Sequence, residues 1–88
     1  MNKSKQLEII IYESLDEINV LLPTKKKIKK GNFSIKKNSL FDSLNYITFL
    51  LNLEKKIKSR FRKNVNLYDL DIIFENKNEL FKYIFNKI

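Results

Sequence analysis

The chain contains no cysteine and no histidine, and it has one proline and one glycine. Lack of cysteine excludes disulfides, a thiol nucleophile and zinc sites of the cysteine type, and it fits a reducing, cytoplasmic setting. Lack of histidine removes the commonest general base and a frequent metal ligand. Long apolar runs are missing too. The polar stretch Met1 to Gln6 leads into apolar residues interrupted by Glu8, Glu13, Asp16 and Glu17, so neither a signal core nor a membrane span is expected. Sustained period-two alternation, hairpin turn dipeptides and internal repeats are also missing. Together these gaps point to an all-α protein that is not an enzyme and holds no resident metal. With 88 residues and 43% hydrophobic content there is room for one core, hence a single domain over residues 1–88.

What is abundant is positive charge, a formal +8. Its distribution says more than its sum. Residues 23 to 42 hold seven lysines against Asp42, and residues 43 to 66 hold six basic side chains against Glu54, whereas both ends of the chain are slightly acidic. A basic middle invites a nucleic-acid reading. Lys, Asn and Ile also dominate the composition as A- and T-rich coding would produce, which is a sufficient bland cause for part of it.

Leu7, Ile10, Ile11, Leu15, Ile18, Leu21 and Leu22 recur at three- and four-residue intervals, the spacing of an amphipathic helix that Pro23 ends. Residues 23 to 41 lack a period and contain the run Lys25 to Lys30, so they read as a long connecting loop, a length often tied to function. A second helix is expected from Asp42, whose side chain can accept from free first-turn N–H groups. Its stripe is Leu44, Ile47, Leu50, Leu51, Ile57 and Phe61, with Glu54 on the same face. A brief helix is expected over Leu67 to Phe74. Asn76 then caps a last helix with Glu79 three residues on, and Leu80, Phe81, Ile84, Phe85 and Ile88 form its buried side. The expected architecture is a small four-helix bundle: long helix, long loop, helix, short helix, helix.

Asp42-Ser43-Leu44 stands at the start of the second helix, directly after the long loop. A serine there projects where backbone N–H groups and the helix dipole favour a phosphate on its hydroxyl. Asp42 offers a carboxylate that could help hold a divalent cation with a phosphate donor. The run Asn38-Ser39-Leu40-Phe41-Asp42-Ser43-Leu44, followed by Ile47, Leu50, Leu51 and Leu53-Glu54, resembles the acyl carrier protein family, and the helix order extends that resemblance over nearly the whole chain.

The resemblance implies that Ser43 receives a covalent phosphopantetheine arm. It makes Asp42, Leu44 and Ile47 the residues that a phosphopantetheinyl transferase and partner enzymes recognise, and it places Ile72 and Ile73 beside an acyl groove. It implies a monomeric carrier that holds acyl or aminoacyl cargo as a thioester between acyl-loading and acyl-accepting enzymes. The second helix carries Asn45, Thr48, Lys55 and Lys56 where carriers of fatty acid synthesis are typically acidic, which points to a specialised pathway with its own partner.

Plainer readings stand beside these. Ser43 can be an ordinary first-turn serine next to a capping Asp42. The Lys25 to Lys30 run can be a solvated loop. The Phe and Tyr residues sit mostly at core spacing and do not interleave with the lysines, so a base-stacking platform is not expected. Glu54 reads as a satisfied carboxylate at the core edge. The alternative function is a small basic helical module that binds nucleic acid or an acidic partner protein through Lys25 to Lys37 and Lys55 to Lys63.

Overall fold

A computed structural model describes residues 2–68 and 73–88. Among the described residues there are three helices, α1 (Lys3–Leu21), α2 (Ser43–Phe61) and α3 (Lys77–Phe85), and no strand beyond one isolated bridge between Ser34 and Asn76. The protein is therefore all-α. The brief helix expected over Leu67 to Phe74 falls largely on residues 69–72, outside the described residues; Leu67, Tyr68, Ile73 and Phe74 on either side are not helical. The described residues thus form three helices and not the four expected. None of these helices is long and apolar enough to cross a membrane.

Each helix starts where a side chain can satisfy its open N–H groups. Asn2 accepts from the Lys5 amide at 2.8 Å, Asp42 from the Asn45 amide at 2.8 Å, and Asn76 from the Glu79 amide at 3.0 Å. Glu79 reaches back toward the amide of Glu75 at 3.4 Å, one residue before the cap, in a variant of the capping box. At the other end of α2 the chain leaves through Arg62, a non-glycine residue with φ 58 and ψ 35. Its amide closes on the Lys58 carbonyl at 3.0 Å, the left-handed cap that usually selects glycine.

Leu7, Ile10, Ile11, Leu15 and Ile18 of α1 are wholly buried, and α2 packs along this face. Ser14 shares the face and returns its hydroxyl to the Ile10 carbonyl at 3.0 Å, which satisfies it. On α2 the buried residues are Phe49, Leu50, Leu53 and Ile57. Of the expected stripe, Leu50 and Ile57 are buried and Ile47 and Phe61 partly so, whereas Leu44 and Leu51 are exposed, and Phe49 and Leu53 take the remaining core positions. On α3, Leu80 and Ile84 are buried as expected, but Phe85 is exposed and stacks on Phe81 with ring centroids 5.7 Å apart. Leu21, at the end of α1, is also exposed.

Residues 22–42 are irregular yet strongly tethered. Asn19 clamps Ile28 twice, accepting from its amide at 2.8 Å and donating to its carbonyl at 2.9 Å. Lys27 donates to the Asn19 and Leu22 carbonyls at the end of α1, where a cation is favoured. Tyr12 binds both backbone groups of Gly31, whose φ of 113 other residues rarely adopt. The stretch then joins the entry to α3: the Ile35 amide donates to the Glu75 carbonyl and the Lys77 amide to the Phe33 carbonyl, each at 2.9 Å. These tethers turn Ile28, Phe33, Ile35 and Phe41 into the core. The Cα radius of gyration is 12.3 Å, close to the roughly 12 Å of a folded chain of this length.

Candidate functional site

The N-terminal end of α2 is built from the loop inward. Asn38 donates from its amide nitrogen to the Ser34 carbonyl at 3.1 Å and accepts from the Leu40 amide at 3.0 Å. Asn45 donates to the Leu40 carbonyl at 3.1 Å, so the turn before Asp42 is held from both sides. Phe41, the last residue before the cap, points into the core and is nearly buried. It stacks on Phe33 at 5.9 Å and meets Phe49 at 5.3 Å and Tyr46 at 6.5 Å, edge-on in both cases. An aromatic plug thus anchors the turn from which α2 departs.

Ser43 is the first residue of α2 and is exposed. Asp42 spends its carboxylate on the Asn45 amide, and its carbonyl accepts from the Tyr46 amide at 2.8 Å. Among the described residues, the amides of Ser43 and Leu44 have no protein partner and lie at the positive end of the helix. The serine hydroxyl therefore stands where an attached phosphate would meet free N–H donors.

Beside it opens a cavity of about 220 Å³ lined by Ile35, Lys36, Phe41, Ser43, Tyr46, Ile47 and Ile73. Tyr46 and Ile47 follow Ser43 by three and four residues and so share its face of the helix. Ile73, half exposed, closes the far side. Lys36 sits at the rim paired with Glu75 at 3.6 Å, a solvent-exposed ion pair. The Tyr46 hydroxyl is buried without a partner at hydrogen-bond geometry among the described residues. Burial pushes its pKa above the ordinary 10.0, and the nearby Phe74 backbone opposes that rise.

Of the residues singled out from the sequence, Ser43, Ile47 and Ile73 line this one cavity. Asp42 and Leu44 do not. Asp42 acts as a cap, and Leu44, 73% exposed, projects into solvent. Ile72 lies outside the described residues. Sequence reasoning missed Ile35, Lys36, Phe41 and Tyr46 as lining residues. Helical spacing from Ser43 could have found Tyr46, whereas Ile35 and Lys36 sit in an aperiodic stretch that offers no such signal. Glu54 is satisfied as expected, accepting from the amides of Leu67 at 2.6 Å and Tyr68 at 2.7 Å. It pins the chain that follows α2 back onto the helix.

The basic residues divide. Lys56 pairs with Glu17 at 3.0 Å, Arg60 approaches Glu13 at 3.9 Å, and Lys30 approaches Asp16 at 3.5 Å. Lys55, Lys58 and Arg62, spaced along one side of α2, have no ion-pair partner among the described residues. Neither do Lys25, Lys26 and Lys29. No family model matches the chain, and neither a curated protein nor a solved structure matches it.

Proposed function

We propose that the chain is a non-catalytic carrier of the acyl carrier type, modified by phosphopantetheine at Ser43. The observation that carries this reading is the placement of Ser43: exposed, first in a long helix, beside two uncommitted amides and on the lip of a largely apolar cavity. The residues present fit the group. Its phosphate finds helix N–H donors at Ser43 and Leu44, and its cargo end finds Ile47 and Ile73 within the same cavity wall. When attached, the arm supplies a thiol that holds cargo as a thioester.

Loading requires a phosphopantetheinyl transferase and coenzyme A. The Ser43 hydroxyl gives its proton to a base of the transferase as its oxygen bonds to phosphorus, and an adenosine bisphosphate leaves. Asp42 holds the first turn open toward the incoming phosphate and presents its second carboxylate oxygen to the metal ion of the transferase. Leu44 and the half-buried Ile47 supply apolar contact for the transferase and for acyl-loading and acyl-accepting enzymes, which are separate proteins. A flexible arm raises the local concentration of cargo at a docked enzyme, so docking can stay weak. A cytoplasmic, monomeric protein belongs to this reading.

The test is intact mass after incubation with a broad-specificity phosphopantetheinyl transferase, coenzyme A and magnesium. Wild type should gain one phosphopantetheine unit and Ser43→Ala none. No gain in wild type, with the native transferase also tried, sinks the carrier reading. A second reading, binding of an acidic partner or nucleic acid, draws on unpaired Lys55, Lys58 and Arg62; it requires affinity that falls steeply with salt and is indifferent to Ser43→Ala.

A further inference from the structure

Aromatic rings back the cavity beside Ser43. Phe41 forms its inner wall, and Phe33 and Phe49 lie behind Phe41 at centroid distances of 5.9 and 5.3 Å. Phe33 and Phe49 also meet edge-on at 6.2 Å, so the three rings brace one another. Behind them Leu53 and Ile57 are wholly buried against α1. We propose that this cavity accepts a short, uncharged acyl group as cargo, with Phe41 as the stop that sets its length. The inference rests on the carrier reading of Ser43.

Size and charge both support it. A dry cavity of about 150 Å³ accepts a benzene-sized guest, so one of about 220 Å³ holds a chain of about six carbons beside the end of the arm. A longer chain must either force Phe41 from its two ring partners, against a close-packed interior, or stay in water. The walls Ile35, Phe41, Ile47 and Ile73 are apolar, and the one charged lining residue described is the cation Lys36. Lys36 is paired at the rim with Glu75, so the apolar walls set the preference: an uncharged acyl group loses no hydration on entering them, whereas the ammonium of an aminoacyl group does. Phe41 is thus a specificity-determining residue, and Ile73 the outer wall that shelters the cargo.

The test loads wild-type protein from a series of coenzyme A thioesters: butanoyl, hexanoyl, octanoyl, dodecanoyl and glycyl. Intact mass reports loading, and two further readouts report shelter: the rate of thioester cleavage by hydroxylamine and the melting temperature. Hexanoyl should be cleaved several-fold more slowly than the same group on free pantetheine and should raise the melting temperature. Dodecanoyl should gain no more than hexanoyl, and glycyl should gain nothing. Phe41→Leu should extend shelter to octanoyl and dodecanoyl; Ile73→Lys, at a half-exposed site outside the core, should abolish shelter of hexanoyl while loading continues. Greater shelter of dodecanoyl than of hexanoyl in wild type, equal shelter of glycyl, or no shelter of any group would overturn the inference with loading intact. Failure of loading itself overturns the carrier reading instead, and the cargo inference falls with it.

Discussion

The two ends of α2 are made of the same helix and put to opposite uses. At the N-terminal end, Ser43 and Leu44 have free amides, Leu44 is bare to solvent, and a cavity opens alongside. At the C-terminal end several side chains hold the fold: Glu54 accepts from the amides of Leu67 and Tyr68, and Lys56 and Arg60 reach the acids of α1, while Lys55, Lys58 and Arg62 have no ion-pair partner among the described residues. Part of the basic middle of the chain holds the fold, through Lys27, Lys30, Lys56 and Arg60, and the chemistry is proposed for a neutral serine at the sparsely charged end.

Breaking that contrast is a matter of separating stability from modification. The largest expected effect is at Glu54. Removing an acceptor that serves two amides should cost about 2 kcal/mol in Glu54→Ala, read by denaturant unfolding, while the folded variant still gains mass at Ser43. A variant that stayed stable but lost the mass gain would erase the distinction between the two ends. Asp42→Ala should lose about 1 kcal/mol through its cap, and its rate of modification should fall further than its folded fraction does. If the two fall in step, Asp42 is a cap only.

Tyr46→Phe sharpens the comparison from the other direction. Removing a buried hydroxyl that has only the Phe74 backbone beside it should change stability by less than about 1 kcal/mol at neutral pH. Because the folded-state pKa of Tyr46 lies above the ordinary 10.0, the stability tied to its neutral form is complete below pH 10.0 and is lost as pH rises through the folded value. The stability gap between Tyr46→Phe and wild type should therefore widen in alkaline solution; a constant gap refutes the burial argument. The smallest effect belongs to the exposed ion pairs: Glu17→Gln should cost about 0.5 kcal/mol in low salt, and less when salt screens the Lys56 pair. A loss several times larger would make that pair part of the core.

How far the fold could be read in advance varied with how local its cause is. The cap at Asp42, the cap at Asn76 and the buried face of α1 depend on residues within one or two turns, and each was legible. The buried face of α2 was legible only in part, at Leu50 and Ile57. Leu44, Leu50 and Leu51 offer one plausible stripe and Phe49, Leu50 and Leu53 another; the choice between them is made by where α1 and the rings of Phe33 and Phe41 lie. The loop was legible as a loop but not as a source of core residues, because Ile28 and Ile35 are placed by distant groups, the Asn19 side chain and the Glu75 carbonyl.

By itself, then, the sequence determined the helical class, the starts of α2 and α3 and the position of Ser43 on α2, since hydrophobic spacing and capping act over a few residues. Only the tertiary structure decided that Ser43, Ile47 and Ile73 share a cavity, that Phe41 walls it, and which lysines are paired. Those outcomes depend on contacts between residues far apart in the chain, which no local pattern encodes.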